Sequence, residues 1–333
     1  MRSFSLLRPG PLFVVSLALV AGCGGNAAVG PPLHDAHAGS SSRAAFAYTA
    51  RMTTIVPSWR RFRAHSSAGQ GWISRDATTK ALLYVANYNG GSVTIYDAVG
   101  KGQAPVGRIT SGIAGPEGLA VDARRRLYVT NTSNNTVTAY KPGETAPFRT
   151  YSLGLDAPAG VAVGSDGTVY VSNLFGNDVV AYAAGGTNPT ATYSGLTFPI
   201  GLALDASNNL YVTYANGIEK FPSGSTHGTN LGISLPIASG IGIDALGDVV
   251  VANQQPPSVG VYPPGATQPS QVFAQEEQPN PIAFLRSEKR IFVGEPLANA
   301  VNVYTYPAGV KVNAIANGVN FPAGVAVSPP APL

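Results

Sequence analysis

The sequence predicts an all-β fold: a six-bladed β-propeller with four-stranded blades, the first blade closed by the C-terminal strand, behind a disordered N-terminal tether. Three observations lead there. A short apolar strand recurs six times, LYVAN at 83–87, LYVTN at 127–131, VYVSN at 169–173, LYVTY at 210–214, VVVAN at 249–253 and IFVGE at 291–295, with successive starts 39 to 44 residues apart. A period near forty built of strands and turns is the length of one propeller blade. The 39 glycines and 27 prolines suit many tight turns, and a hydrophobic content of 44% suits a packed core rather than a disordered chain. Finally, the repeats begin on one strand of the unit and end on another, as a closed ring requires.

The chain opens on a basic start, Arg2 and Arg8, and an apolar run at 11–20 that is too short to span a bilayer. Residues 1–22 therefore read as an export signal. The signal ends in Val20-Ala21-Gly22-Cys23, which resembles the bacterial lipobox; the resemblance implies cleavage before Cys23 and acylation of its sulfur. Cys23 is the sole cysteine, which excludes an internal disulfide. The alternative is an ordinary secretory signal with an incidental cysteine. On the lipobox reading the protein is extracytoplasmic in the bacterial cell envelope, with the membrane as a partner through two or more acyl chains.

Residues 23–71 are rich in Gly, Ala, Ser and His and show no strand or helix period, as expected of a flexible spacer. Residues 1–80 hold nine Lys or Arg against two acids, and the remainder holds 12 against 15, so the net charge of +4 belongs to the leader and spacer. A mildly acidic body without a recognition motif excludes nucleic acid as a partner.

The propeller is expected over residues 72–330. Its innermost strand, a, is the Gly-apolar run of Gly118-Leu119-Ala120-Val121 and its counterparts at Gly160, Gly201, Gly240 and Gly324, where small residues suit crowding near an axis. Strand b is the Leu-Tyr-Val run, apolar on both faces and hence buried between blades. Strand c alternates and ends in an aromatic, as at Tyr96, Tyr140 and Tyr182. Pro-Gly and Gly-Gly turns such as Pro142-Gly143 and Gly185-Gly186 lead to a weaker strand d. Because the first repeat enters at strand b and the segment 321–327 is a strand a with no b after it, joining the two completes the sixth blade. Gly71-Trp72-Ile73-Ser74 competes for that inner position.

The pattern P-x-G-apolar-Ala-apolar-D, a turn, apolar-Y-V-x-N and N-x-V-x-x-Y resembles the NHL-repeat group of six-bladed propellers, broadly similar to virginiamycin B lyase-like and gluconolactonase-like proteins. The resemblance covers about residues 80 to 328 and implies a fold more than an activity, since this fold hosts lactonases, lyases and binding platforms. Lyases of that group imply a histidine beside a carboxylate; here His34, His37 and His65 lie in the spacer, and His227 follows strand c on the opposite face. Lactonases imply a metal held by Glu, Asn and Asp, for which Glu117 with Asn173 or Asn253 is the nearest match, without an aspartate.

The residues closing strand b, Asn87, Asn131, Asn173, Tyr214, Asn253 and Glu295, are expected at the channel mouth together with Glu117. They form the candidate ligand-binding set, for Ca²⁺ through oxygen ligands, or for a protein, peptide or carbohydrate. Asx-type capping of the b–c turns accounts for the same asparagines without a ligand. No catalytic residues are assigned. The expected function is that of a membrane-anchored, monomeric binding module without a required cofactor; a metal-dependent lactonase-type hydrolase and a structural envelope protein are the alternatives. Arg124, Arg125, Arg126, Arg286, Lys289 and Arg290 in a–b turns would give the face away from the mouth a basic character.

Overall fold

A computed structural model describes residues 70–328 apart from 101–103, 216, 275–277 and 286–289. The leader, Cys23, the spacer up to residue 69, Arg286 and Lys289 lie outside the described residues. Six antiparallel sheets follow one another around an axis, as the repeat period requires.

The first sheet runs β1 (Trp72–Ile73), β4 (Gly107–Ile109), β3 (Ser92–Asp97), β2 (Leu82–Asn87) and β25 (Pro322–Ser328). The second holds β5 (Pro116–Val121), β6 (Leu127–Asn131), β7 (Thr136–Tyr140) and β8 (Arg149–Tyr151); the third holds β9 (Pro158–Val163), β10 (Val169–Asn173), β11 (Asp178–Tyr182) and β12 (Pro189–Tyr193). The fourth contains β13 (Leu202–Leu204), β14 (Leu210–Tyr214), β15 (Gly217–Phe221) and β16 (Thr229–Asn230). The fifth contains β17 (Ala238–Ile243), β18 (Val249–Gln254), β19 (Pro257–Tyr262) and β20 (Gln271–Ala274), and the sixth β21 (Ile282–Leu285), β22 (Arg290–Glu295), β23 (Ala300–Thr305) and β24 (Lys311–Ile315).

Closure is made by β25, which pairs with β2 from Leu82↔Ser328 to Asn87↔Pro322. Trp72 and Ile73 instead pair with Arg108 and Gly107 on the outer rim. The first blade therefore has five strands, not four, because the entering chain covers its outer edge as well as supplying strand b. A short 3₁₀ helix, Arg75–Thr79, carries the chain from that rim to β2.

The core is divided among the blade interfaces. Alternation along strand b sends Tyr84 into a cluster with Leu119, Leu127 and Val129 of the second blade, and Leu83 and Val85 into one with Phe292 and Val303 of the sixth. The same arrangement recurs at the other four interfaces. Burial on both faces explains why strand b reads as continuously apolar while its neighbours alternate.

Close approach near the axis explains the P-x-G motif. A β-carbon on Gly118, Gly160, Gly201, Gly240 or Gly324 would collide with the backbone carbonyl of Ala159, Ile200, Ser239, Asn280 or Glu117 respectively, each on the following blade. Glycine is required there by space rather than by φ. Other motif residues tie neighbouring blades. Asn135, Asn177 and Asn299, all at positive φ, accept hydrogen bonds at 2.8–3.0 Å from the backbone N–H of Ala157, Phe198 and Phe321 in the next blade's entry loop. Tyr96, Tyr140 and Tyr182 donate to the carbonyls of Asn317, Ser111 and Leu153 at 2.6–2.7 Å, where the chain leaves the preceding blade.

Candidate ligand-binding face

The face carrying the b–c and d–a loops is shaped by what those loops do with the strand-b asparagines. Asn87, Asn131, Asn173 and Asn253 are buried. Their Oδ1 atoms accept from the N–H groups of Asn320, Ala114, Asp156 and Ile237 at 2.8–3.2 Å, so each side chain holds the loop that leads into its own blade's inner strand. Their amide groups donate nearby, Asn87 to Thr94 at 2.6 Å and Asn173 to the Gly154 carbonyl and Asp178 at 2.8 Å. Tyr214 turns toward its own blade, its hydroxyl 3.1 Å from Glu219 and 2.9 Å from the Asn230 amide. Glu295 is buried at the end of β22, opposite Ala300.

The channel is lined instead by the inner strands, through Glu117, Ala159, Ile200, Ser239, Asn280, Ala323 and the residues following each. Of the seven candidates named from the sequence, Glu117 alone lines it. Glu117 is the second residue of β5 rather than part of the preceding loop, and its carboxyl reaches Thr132 at the start of the b–c loop.

Glu117 is 4% exposed, and burial pushes its carboxyl's pKa up to about 7 against a weaker opposing hydrogen bond from Thr132. The Thr132 hydroxyl stands 2.9 Å from Glu117 Oε2 and 2.8 Å from the Pro158 carbonyl. One hydroxyl hydrogen cannot serve two acceptors. A protonated Glu117 resolves the conflict by donating to Thr132 Oγ1 while Thr132 donates to Pro158. Beside it, Tyr88 donates its N–H to the Phe321 carbonyl at 3.1 Å, and the two rings meet edge-on with centroids 6.2 Å apart. Burial and the Glu117 charge both raise the Tyr88 hydroxyl's pKa.

Sequence reasoning missed one set of residues. The position before the strand-b terminus is Thr130, Ser172 or Thr213 in three consecutive blades. Each hydroxyl accepts from the N–H of Gly118, Gly160 or Gly201 at 2.6–2.8 Å and donates to the carbonyl of Ala159, Ile200 or Ser239 on the next blade at 2.7–2.8 Å. The signal was the x of Tyr-Val-x, a hydroxyl in one half of the ring and Ala86, Ala252 or Gly294 in the other.

The donors present do not fit a Ca²⁺ or lactonase-type metal centre. Such a cation takes about six to eight oxygens, usually several carboxylates. Among the described residues no group of three His, Cys, Asp or Glu comes together, and Glu117 is the sole carboxylate lining the channel. His227, the one described histidine, lies between β15 and β16 on the other face.

Solved structures share this architecture. A chain of the nidogen/laminin complex superposes with a TM-score of 0.66 at 17% identity, covering 74% of this chain and 98% of that one. A streptogramin B lyase gives 0.55 at 15% identity, over 80% and 89% of the two chains. Virginiamycin B lyase from Staphylococcus aureus gives 0.51 at 14% identity, over 73% and 86%. No family model and no curated protein matches the sequence. These likenesses place the chain in the six-bladed propeller fold expected from its NHL-like repeats.

Proposed function

We propose that this protein is a lipid-anchored, extracytoplasmic propeller whose b–c/d–a face binds a polypeptide partner and which performs no catalysis of its own. One observation carries the reading. The channel encloses about 70 Å³ of water-accessible volume. At roughly 10–15 Å³ per water that is room for about five to seven waters, whereas small-molecule sites run to about 300–1,000 Å³. Recognition then belongs to the face around the mouth rather than to the channel. A propeller in the nidogen/laminin complex supports a protein partner as the chemistry of such a face.

The lactonase-type alternative rests on Glu117, whose pKa near neutrality suits a general acid or base. Anchoring through Cys23, with the Arg124–Arg126 turn toward the membrane, completes the proposal. The test replaces Leu153, Phe175 or, on the outer edge, Val310 with a photo-crosslinking residue in the producing cells. Discrete crosslinks from the first two positions only are expected, along with release of the protein by Cys23→Ser. Lactone turnover that disappears in Glu117→Gln would overturn the non-catalytic reading.

A further inference from the structure

The binding face has an unequal distribution of charge. Among the described residues no b–c or d–a loop carries a lysine or arginine, whereas the a–b and c–d turns opposite mix Arg124, Arg125, Arg126 and Lys141 with Asp122, Glu144, Asp166, Asp205, Asp244 and Asp248. Acids do occur on the binding face: Asp156 is exposed in the loop before β9, and Asp178 opens β11. Burial raises the Asp178 pKa first, and the Asp156 charge raises it further, so the two carboxylates share one neighbourhood.

Apolar surface accompanies these acids. Leu153, Phe175 and Leu297 are 53%, 41% and 56% exposed in these loops. Phe198 and Phe321 sit at φ values of 51° and 54°, conformations that bulky residues rarely adopt, and hold them through the Asn177 and Asn299 hydrogen bonds. At the lip, the buried Glu117 carboxyl lines the channel, and among the described residues only its Oε2 takes part in a hydrogen bond. The Tyr88–Phe321 pair stands next to it.

We propose that this face recognises a polypeptide segment with one lysine or arginine flanked by apolar side chains, the cationic head seated on Glu117 and its stem against Tyr88 and Phe321. The proposal rests on the binding-face reading and adds the chemistry of the partner. A buried carboxylate beside aromatic rings favours an ammonium or guanidinium, which gains both ion pairing and ring contact. The Asp156–Asp178 neighbourhood, on a face whose described loops carry no lysine or arginine, steers a basic segment and repels an acidic one. Glu117 is released from its Thr132 contact as the ligand's charge replaces its proton; Tyr88, the titratable neighbour, stays neutral throughout.

The test uses the full chain in nonionic detergent with a labelled, end-blocked peptide GLFKFLG and counterparts bearing Glu or Gln for Lys, read by fluorescence anisotropy against empty micelles. At pH 8 the Lys peptide is expected to bind at least tenfold tighter than either counterpart. Glu117→Gln should erase that preference without loss of folding, Tyr88→Leu should weaken it at least threefold, and Arg124→Ala on the other face should leave it intact. Equal binding of the three peptides would overturn the cation site while leaving the binding-face reading in place. A lysine preference that survives Glu117→Gln, or no binding of any peptide, would overturn it too; face-specific crosslinks in cells remain the separate check on the broader reading.

Discussion

Gly324 packs its Cα against the backbone carbonyl of Glu117 with no room for a β-carbon between them. The last strand of the chain thus touches the residue that lines the channel lip, and ring closure and the candidate site share one contact. Gly324→Ala should cost more than about 3 kcal/mol, in the range of mutations that force backbone apart. Gly186→Ala, which meets only the Ala183 carbonyl at an ordinary 3.4 Å, serves as the control and should stay within about 0.5 kcal/mol. Urea unfolding of the two variants measures both.

The hydroxyl bridges make a second prediction. Thr130→Val keeps the shape of the side chain but strands the Gly118 N–H and the Ala159 carbonyl, which Thr130 Oγ1 serves at 2.6 and 2.8 Å. Losing partners for two buried backbone groups costs about 1–3 kcal/mol each. Thr213→Val should behave alike, and the pair should be additive because different interfaces are affected. A loss below about 0.5 kcal/mol in either variant would show that the bridges contribute little.

Closure by β25 makes a third. Removing residues 321–333 exposes strand β2 along six register pairs and opens the cluster shared with the sixth blade. Loss of cooperative unfolding is expected, whereas Trp72→Ala on the outer rim, where the side chain is 48% exposed, should cost far less.

The fold was legible because one spatial device is repeated in sequence: Gly118 and its counterparts mark five of the six inner strands, Pro281 taking that place in the sixth blade, and an apolar run like that around Tyr84 marks every strand b. The site was only partly legible. Asn87, Asn131, Asn173 and Asn253 recur because each blade needs its entry loop held, so repetition marked a structural role rather than a ligand. Glu117 occupies a position held elsewhere by Ala159, Ile200, Ser239, Asn280 and Ala323, and such a departure from the repeat is where a single asymmetric ring can differ. The rim strand Trp72–Ile73 lacked any repeat to announce it; it pairs with Arg108 and Gly107, and Ile73 packs against the core of the first interface.

Metal dependence follows from the same lip. With one carboxylate lining the channel among the described residues, 1 mM CaCl₂ or EDTA should leave the melting temperature unchanged, since only a ligand that binds the native state raises it. A Ca²⁺-dependent rise that Glu117→Gln abolishes would contradict the donor count.

The Glu117 titration gives the last prediction. Its folded pKa of about 7 stands above the ordinary 4.5, so between those values the native state binds a proton that the unfolded chain has released. Linkage then makes stability fall as pH rises. The contribution is fully present below about pH 4.5 and is lost as pH climbs through about 7, where ionisation leaves a desolvated carboxylate beside Thr132. A shift of this size corresponds to about 3 kcal/mol at its limit, or roughly 6–12 °C for a domain of this length. Wild type should therefore unfold at higher urea at pH 5.5 than at pH 8, and Glu117→Gln, which keeps a donor for Thr132 and carries no charge, should flatten that difference. A pH dependence that persists unchanged in Glu117→Gln would assign it to other groups and would mean that the lip carboxyl is ionised in the free protein.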